Sequence, residues 1–116
     1  MKTLLKFVRR VNVSRLDILD GRPGDSARCA VTLAVRRAIK SARYVHVVPH
    51  RDARGILTGS VSIGVADGTW FLASLPKKAS SAARWFDLIP KFIRRADRLK
   101  YVKPFSFTLR AVSRNF

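Results

Sequence analysis

Glutamate is absent from this chain: all seven acidic residues among its 116 are aspartates, and 24 lysines and arginines give a formal net charge of +17. A surplus of that size repels itself in a compact state, so the sequence points to a polyanion that neutralises it, with nucleic acid the first candidate. Cysteine is nearly absent too. Cys29 stands alone, which excludes an intrachain disulfide and fits a reducing compartment. No stretch approaches the ~20 apolar residues of a membrane-spanning helix. The opening MKTLLKFVRRVNV begins like a signal peptide, but Lys6, Arg9 and Arg10 interrupt its apolar run and no small-residue cleavage site follows, so a soluble, unsecreted chain is expected.

The chemistry of catalysis is also thin. There is no P-loop, dinucleotide fingerprint or RNA-recognition signature. Cys29, His46 and His50 offer metal-ligand types, but zinc sites need four ligands, usually in close pairs, and these are missing. A nucleophilic set built on Cys29 and His46 has no spacing to support it. The aspartates read as caps, turns and ion-pair partners. The expectation is a chain that is not an enzyme, with no cofactor, metal or small-molecule substrate.

What is present is a foldable pattern. At 47% hydrophobic content, residues 1–116 suit one basic domain. Asp25 to Arg43 reads as the central helix, with Ala30, Val31, Ala34, Val35, Ala38 and Ile39 on an apolar face and Asp25 or Ser26 as N-cap. Before it, Leu5 to Val13 alternates as a strand, and Ser14 and Asp17 have capping-box spacing for a short helix closed by Gly21. After it come a strand over Tyr44–Val48 and a loop over His50–Gly59. A hairpin over Ser60–Leu75 is predicted, with Asp67-Gly68 as a two-residue type I′ turn. That turn pairs Val65 with Trp70 and Ile63 with Leu72 on the core face, and puts Phe71 on the reverse face, either covered by another element or available for stacking. Lys77 to Lys100 reads as helical, with Pro90 making either a kink or two consecutive helices, the second capped by Asp87, and a short strand over Arg84–Ile89 as the rival reading. Pro104 to Leu109 reads as a closing strand, and Val112 to Phe116 as a loose tail. The order predicts an α+β fold: a mostly antiparallel sheet of four to five strands with helices packed on one face.

Val11 to Ile39, with its helix opening Arg28-Cys29-Ala30, Val61 to Gly64, and Phe92 to Leu109, with its closing Pro104-Phe105-Ser106-Phe107, resemble small uncharacterised proteins encoded by bacteriophages and related bacterial genomes. The chain departs from them in its shortage of acidic residues and in its length between Pro76 and Phe92. The resemblance implies a viral or mobile-element origin, hence a location in the host cytoplasm or within a virion. It implies no activity.

The cations give the functional expectation. Arg36, Arg37, Lys40 and Arg43 lie on the predicted central helix, Arg51 and Arg54 lie in the predicted loop, and Lys91, Arg94, Arg95 and Arg98 lie in the second half of the long helical run. Together they predict a phosphate-gripping face on a non-catalytic protein that binds DNA or RNA, with Phe71 as a stacking platform. Other readings are a structural subunit of a virion or ribonucleoprotein, and an inhibitor of a host defence complex. Attachment to a membrane is not expected, because the helices need their apolar faces for the core.

Overall fold

The computed structural model describes residues 5–51, 53–55, 57–90 and 92–114, with the backbone alone at 49–51, 57 and 114. Five strands form one antiparallel sheet: β1 (Lys6–Val13), β2 (Ala42–Arg51), β3 (Leu57–Val65), β4 (Trp70–Ser74) and β5 (Phe105–Arg114). Their spatial order is β1-β5-β4-β3-β2. Helices α1 (Arg15–Asp20), α2 (Ala30–Ala38) and α3 (Lys77–Asp87), with a 3₁₀ helix over Arg95–Lys100, make up the rest. The fold is α+β, with the helices on one face of the sheet.

The reason lies in the alternation of each strand. Val11, Val13, Val45, Val47, Val61, Ile63, Ala73, Leu109 and Ala111 are all buried on the face that meets α2 and α3. Facing them are Val31, Ala34 and Val35 from α2 and Ala79, Ala83 and Phe86 from α3, also buried. The alanines let the helices approach closely, and Phe86, 1% exposed, contributes about 2–3 kcal/mol by burial alone.

Helix α1 starts as its sequence predicts: Ser14 Oγ accepts from the Asp17 amide at 3.2 Å, and an Asp17 carboxylate oxygen accepts from the Ser14 amide at 2.8 Å. Helix α2 is shorter than its periodicity. Asp25 spends its carboxylate on the Ala27 amide at 3.0 Å, stabilising a turn, and the helix begins only after Cys29. The Lys77–Lys100 run breaks where Pro90 removes a donor: α3 stops at Asp87, and the 3₁₀ helix resumes at Arg95. Asp87 does not cap that second piece; its Oδ1 accepts from the Gly24 amide at 3.1 Å. Of the span predicted as a loop, His50–Gly59, residues 50–51 and 57–59 are strand, since β2 continues to Arg51 and β3 begins at Leu57, and 53–55 form the turn between them. The expected loose tail is strand as far as Arg114.

The hairpin departs from expectation in a way that matters below. The Val65 amide bonds to the Thr69 carbonyl at 3.0 Å and the Gly68 amide to the Val65 carbonyl at 3.1 Å. Ala66, Asp67 and Gly68 are therefore all loop residues. Gly68 alone among them has positive φ, at 89°. This is a type I turn closed by a glycine bulge, not a type I′ turn. Gly64 thus pairs with Trp70, Ile63 with Phe71 and Val61 with Ala73. The one-residue slip exchanges the faces of every β4 side chain.

Both sheet edges are partly occupied. On β2 the Val47 amide donates to the Ser26 carbonyl at 3.1 Å, and Pro49 has no amide to offer. On β1 the Asn12 carbonyl accepts from Arg37 at 2.8 Å and the Val8 carbonyl from Arg9 at 3.2 Å. Among the described residues no helix is long and apolar enough to cross a membrane.

Candidate functional site

The sheet face turned away from the helices is uncovered among the described residues, and the registers place its side chains in rows. Tyr44, Gly64 and Trp70 form one row. His46, Ser62, Leu72, Val112 and Lys6 form the next. Beyond them Arg110 stands opposite Val8, and Thr108 opposite Arg10.

The first row is built by two local irregularities. Between Ala42 and Tyr44 the β2 register shifts by one residue, so Arg43 bulges at the strand's start; bulges re-aim the neighbouring side chains. Gly64, lacking a side chain, gives Trp70 room to lie across β3: a β-carbon there would come within 3.0 Å of the indole. The indole then stacks on Tyr44, with ring centroids 5.9 Å apart and 18° between planes. Tyr44 remains 58% exposed and Trp70 36% exposed. Arg43 and the hairpin loop complete an open cleft of about 380 Å³ around the pair. A second hollow on the same face, about 410 Å³, runs beside Leu72, Val112, Thr108 and Arg110.

Charge is divided between the two sides of the molecule. In the helical layer carboxylates hold cations. Arg37 grips Asp17 through both guanidinium ends, at 2.6 and 2.7 Å. Burial alone pushes the Asp17 carboxyl up, but the hydrogen bonds from Arg37 and Ser14 outweigh it and hold the group below the usual carboxylate range. The same contact raises Arg37 above its ordinary value. Arg95 pairs with Asp20, while Asp97 takes Arg94 at 3.6 Å and Lys100 at 3.4 Å. Arg98 caps α1 instead, donating from one nitrogen to the carbonyls of Ile18, Leu19 and Gly21 at 3.2, 3.1 and 2.6 Å. On the open sheet face no described residue is a carboxylate, and Lys6, Arg10 and Arg110 are exposed there. The Arg10 contact on that face is to the Thr108 hydroxyl, at 3.4 Å.

The residues singled out from the sequence therefore scatter. Arg37, Arg95 and Arg98 are structural clamps on α1, and Arg94 is tied to Asp97. Arg36 and Lys40 are exposed on the helical side. Arg54 is exposed in the β2–β3 connection. Arg43 joins the aromatic cleft. Lys91 and the Arg51 side chain lie outside the described residues. Phe71 does not lie on the open face: it faces the helical side, edge-on to Phe7 with centroids 4.8 Å apart, because of the hairpin slip. Sequence reasoning missed Tyr44, Trp70, Lys6, Arg10 and Arg110. The available signal was the Gly64–Trp70 pairing that a three-residue loop demands.

Cys29 and His46 do not form a pair. Cys29 is buried against α2 with Sγ 3.1 Å from the Thr32 hydroxyl, while His46 is exposed on the opposite side of the sheet. Burial pushes the Cys29 thiol up. Among the described residues no cluster of three or more His, Cys, Asp or Glu could hold a metal ion.

Comparison with known protein families, curated proteins and solved structures finds no match to this chain.

Proposed function

We propose that this chain is a non-catalytic nucleic-acid-binding protein that holds phosphates from the open face of its sheet. The observation that carries the reading is the segregation of charge. In the helical layer Asp17, Asp20 and Asp97 pair with Arg37, Arg94, Arg95 and Lys100, whereas the sheet face exposes Lys6, Arg10 and Arg110 with no described carboxylate on its strands; Asp67, exposed in the hairpin loop, accepts from the Thr69 amide at 2.8 Å. Arginine suits the task through its fixed fork of donors. The interface of this reading differs from the patch expected from the sequence, in which Arg37, Arg94, Arg95 and Arg98 have partners within the chain.

Salt titration tests it. Contact with about five phosphates gives log affinity against log salt a slope near −4.5 for duplex DNA and nearer −3.5 for single strands. Heparin is the control for indiscriminate polyanion binding, and nucleic acid that binds no better than heparin sinks the reading. A second reading is self-assembly through the same face, as a structural subunit would require. Val8, Val48 and Val112 favour it, because they are 51%, 47% and 37% exposed on that face.

A further inference from the structure

We infer that the open face takes single-stranded nucleic acid, with an unpaired base stacked on the Tyr44–Trp70 pair. This rests on the reading above and narrows it to one substrate class. The two rings are already stacked, at 5.9 Å and 18°, so the platform is organised before a base arrives. Gly64 between them raises no side chain that would lift a flat ligand away. The bulged Arg43 lines the same cleft and supplies a cation for the adjoining phosphate. Stacking of this kind is tolerant of sequence, because every base has a π-face.

The neighbouring surface argues against a duplex. A duplex shows a broad sheet only phosphates and sugars, which would bring charged backbone against Leu72, Val112 and the two rings. No helix or ribbon stands out from this face among the described residues to enter a major groove about 12 Å wide. A single strand can instead turn its bases toward the apolar and aromatic side chains and its phosphates toward Lys6, Arg10 and Arg110. From β2 to β1 the path crosses four inter-strand spacings, about 19 Å. That holds at most about six stacked nucleotides at ~3.4 Å each.

The test uses the full chain with Trp85→Phe, so that Trp70 is the remaining tryptophan of two. It is titrated with oligo-dT, oligo-U and a duplex, following Trp70 fluorescence and ligand anisotropy. Single strands should quench Trp70, with affinity rising to about six nucleotides and then levelling, and the duplex should bind more weakly. Preference between dT and U identifies DNA or RNA. Tyr44→Ala and Trp70→Ala should each weaken single-strand binding roughly 5- to 150-fold, and Trp70→Phe should restore most of it. Tyr44 is exposed on an edge strand, so its variant keeps the test open if Trp70→Ala does not fold. Equal duplex affinity, no quenching and no loss with Tyr44→Ala would overturn this inference while leaving nucleic-acid binding in place. Binding no better than heparin, with light scattering showing a dimer that Trp70→Ala disperses, would overturn both and give the face to a second copy.

Discussion

The indole of Trp70 lies over Gly64, where a β-carbon would sit 3.0 Å from two of its ring carbons. The contact is with a side chain that can move, so Gly64→Ala should leave the fold intact and shift stability by no more than about 1 kcal/mol. The indole itself should be displaced. In a Trp85→Phe background, Gly64→Ala should red-shift the Trp70 emission and weaken single-strand binding. An unchanged spectrum would show that the glycine does not set the ring's position.

The β3–β4 turn can be distinguished from its rival by two substitutions. Gly68 has φ of 89°, so Gly68→Ala or Gly68→Val should cost about 1 kcal/mol or more in thermal or urea unfolding. Ala66 occupies the position of a type I turn that favours proline. Ala66→Pro should be neutral or stabilising by about 0.5 kcal/mol. A type I′ turn, which needs positive φ at both of its loop residues, would leave Ala66 in the strand and make that proline costly.

These two positions also show why the architecture was legible and the site was not. Strand and helix periodicity depend on local composition, and the core faces of β1, β3, β5 and α2 are where their alternation places them. Asp67-Gly68, however, serves either a two-residue loop or the end of a three-residue one, because glycine supplies positive φ in both. The apolar residues of β4 alternate equally well either way: Trp70 and Leu72 on one face, Phe71 and Ala73 on the other. A single residue of register then decides which aromatic meets solvent. The pairing of cations within the expected basic patch was hidden for another reason. Whether a cation is free depends on distant aspartates, and Arg37 and Asp17 are 20 residues apart in sequence, while Arg95 and Asp20 are 75 apart.

Arg37 should therefore matter for stability and not for binding. Asp17 is 4% exposed, and Arg37→Ala leaves its buried carboxylate without a cation, at a cost of about 2–3 kcal/mol near neutral pH. The carboxyl of Asp17 is depressed in the folded chain, so its stabilising contribution is present above the unfolded value of about 3.9. It is lost as pH falls through the lower folded value. The gap in unfolding free energy between the native chain and Arg37→Ala should consequently be full at pH 6–7 and narrow in acid. A gap that stays constant down to pH 3 would contradict this account of the pair.

Cys29 should be inert in the native state. Its thiol is buried and pushed up in pKa by that burial, which withholds the reactive thiolate. Alkylation by iodoacetamide at pH 8 should proceed only as fast as the chain unfolds, and in urea it should become rapid. Fast labelling of folded protein would mean that the N-terminal turn of α2 opens readily. Cys29→Ser should leave nucleic-acid binding unchanged.

The division of charge makes the sharpest comparison. Arg10→Glu with Arg110→Glu, and Arg36→Glu with Lys40→Glu, lower the net charge by the same amount, so a long-range effect of overall charge would weaken binding equally in both. Contact does not act equally. Arg10 and Arg110 stand on the open face, on neighbouring strands β1 and β5, while Arg36 and Lys40 are exposed on the helical side. At 0.15 M salt the screening length is about 8 Å, too short for the second pair to be felt across the sheet. The first pair should flatten the salt slope by about 1.4 for single strands, at ~0.7 per lost phosphate contact. The helical pair should leave the slope within error of the native chain. The opposite result, with the slope governed by Arg36 and Lys40, would return the interface to the helical side.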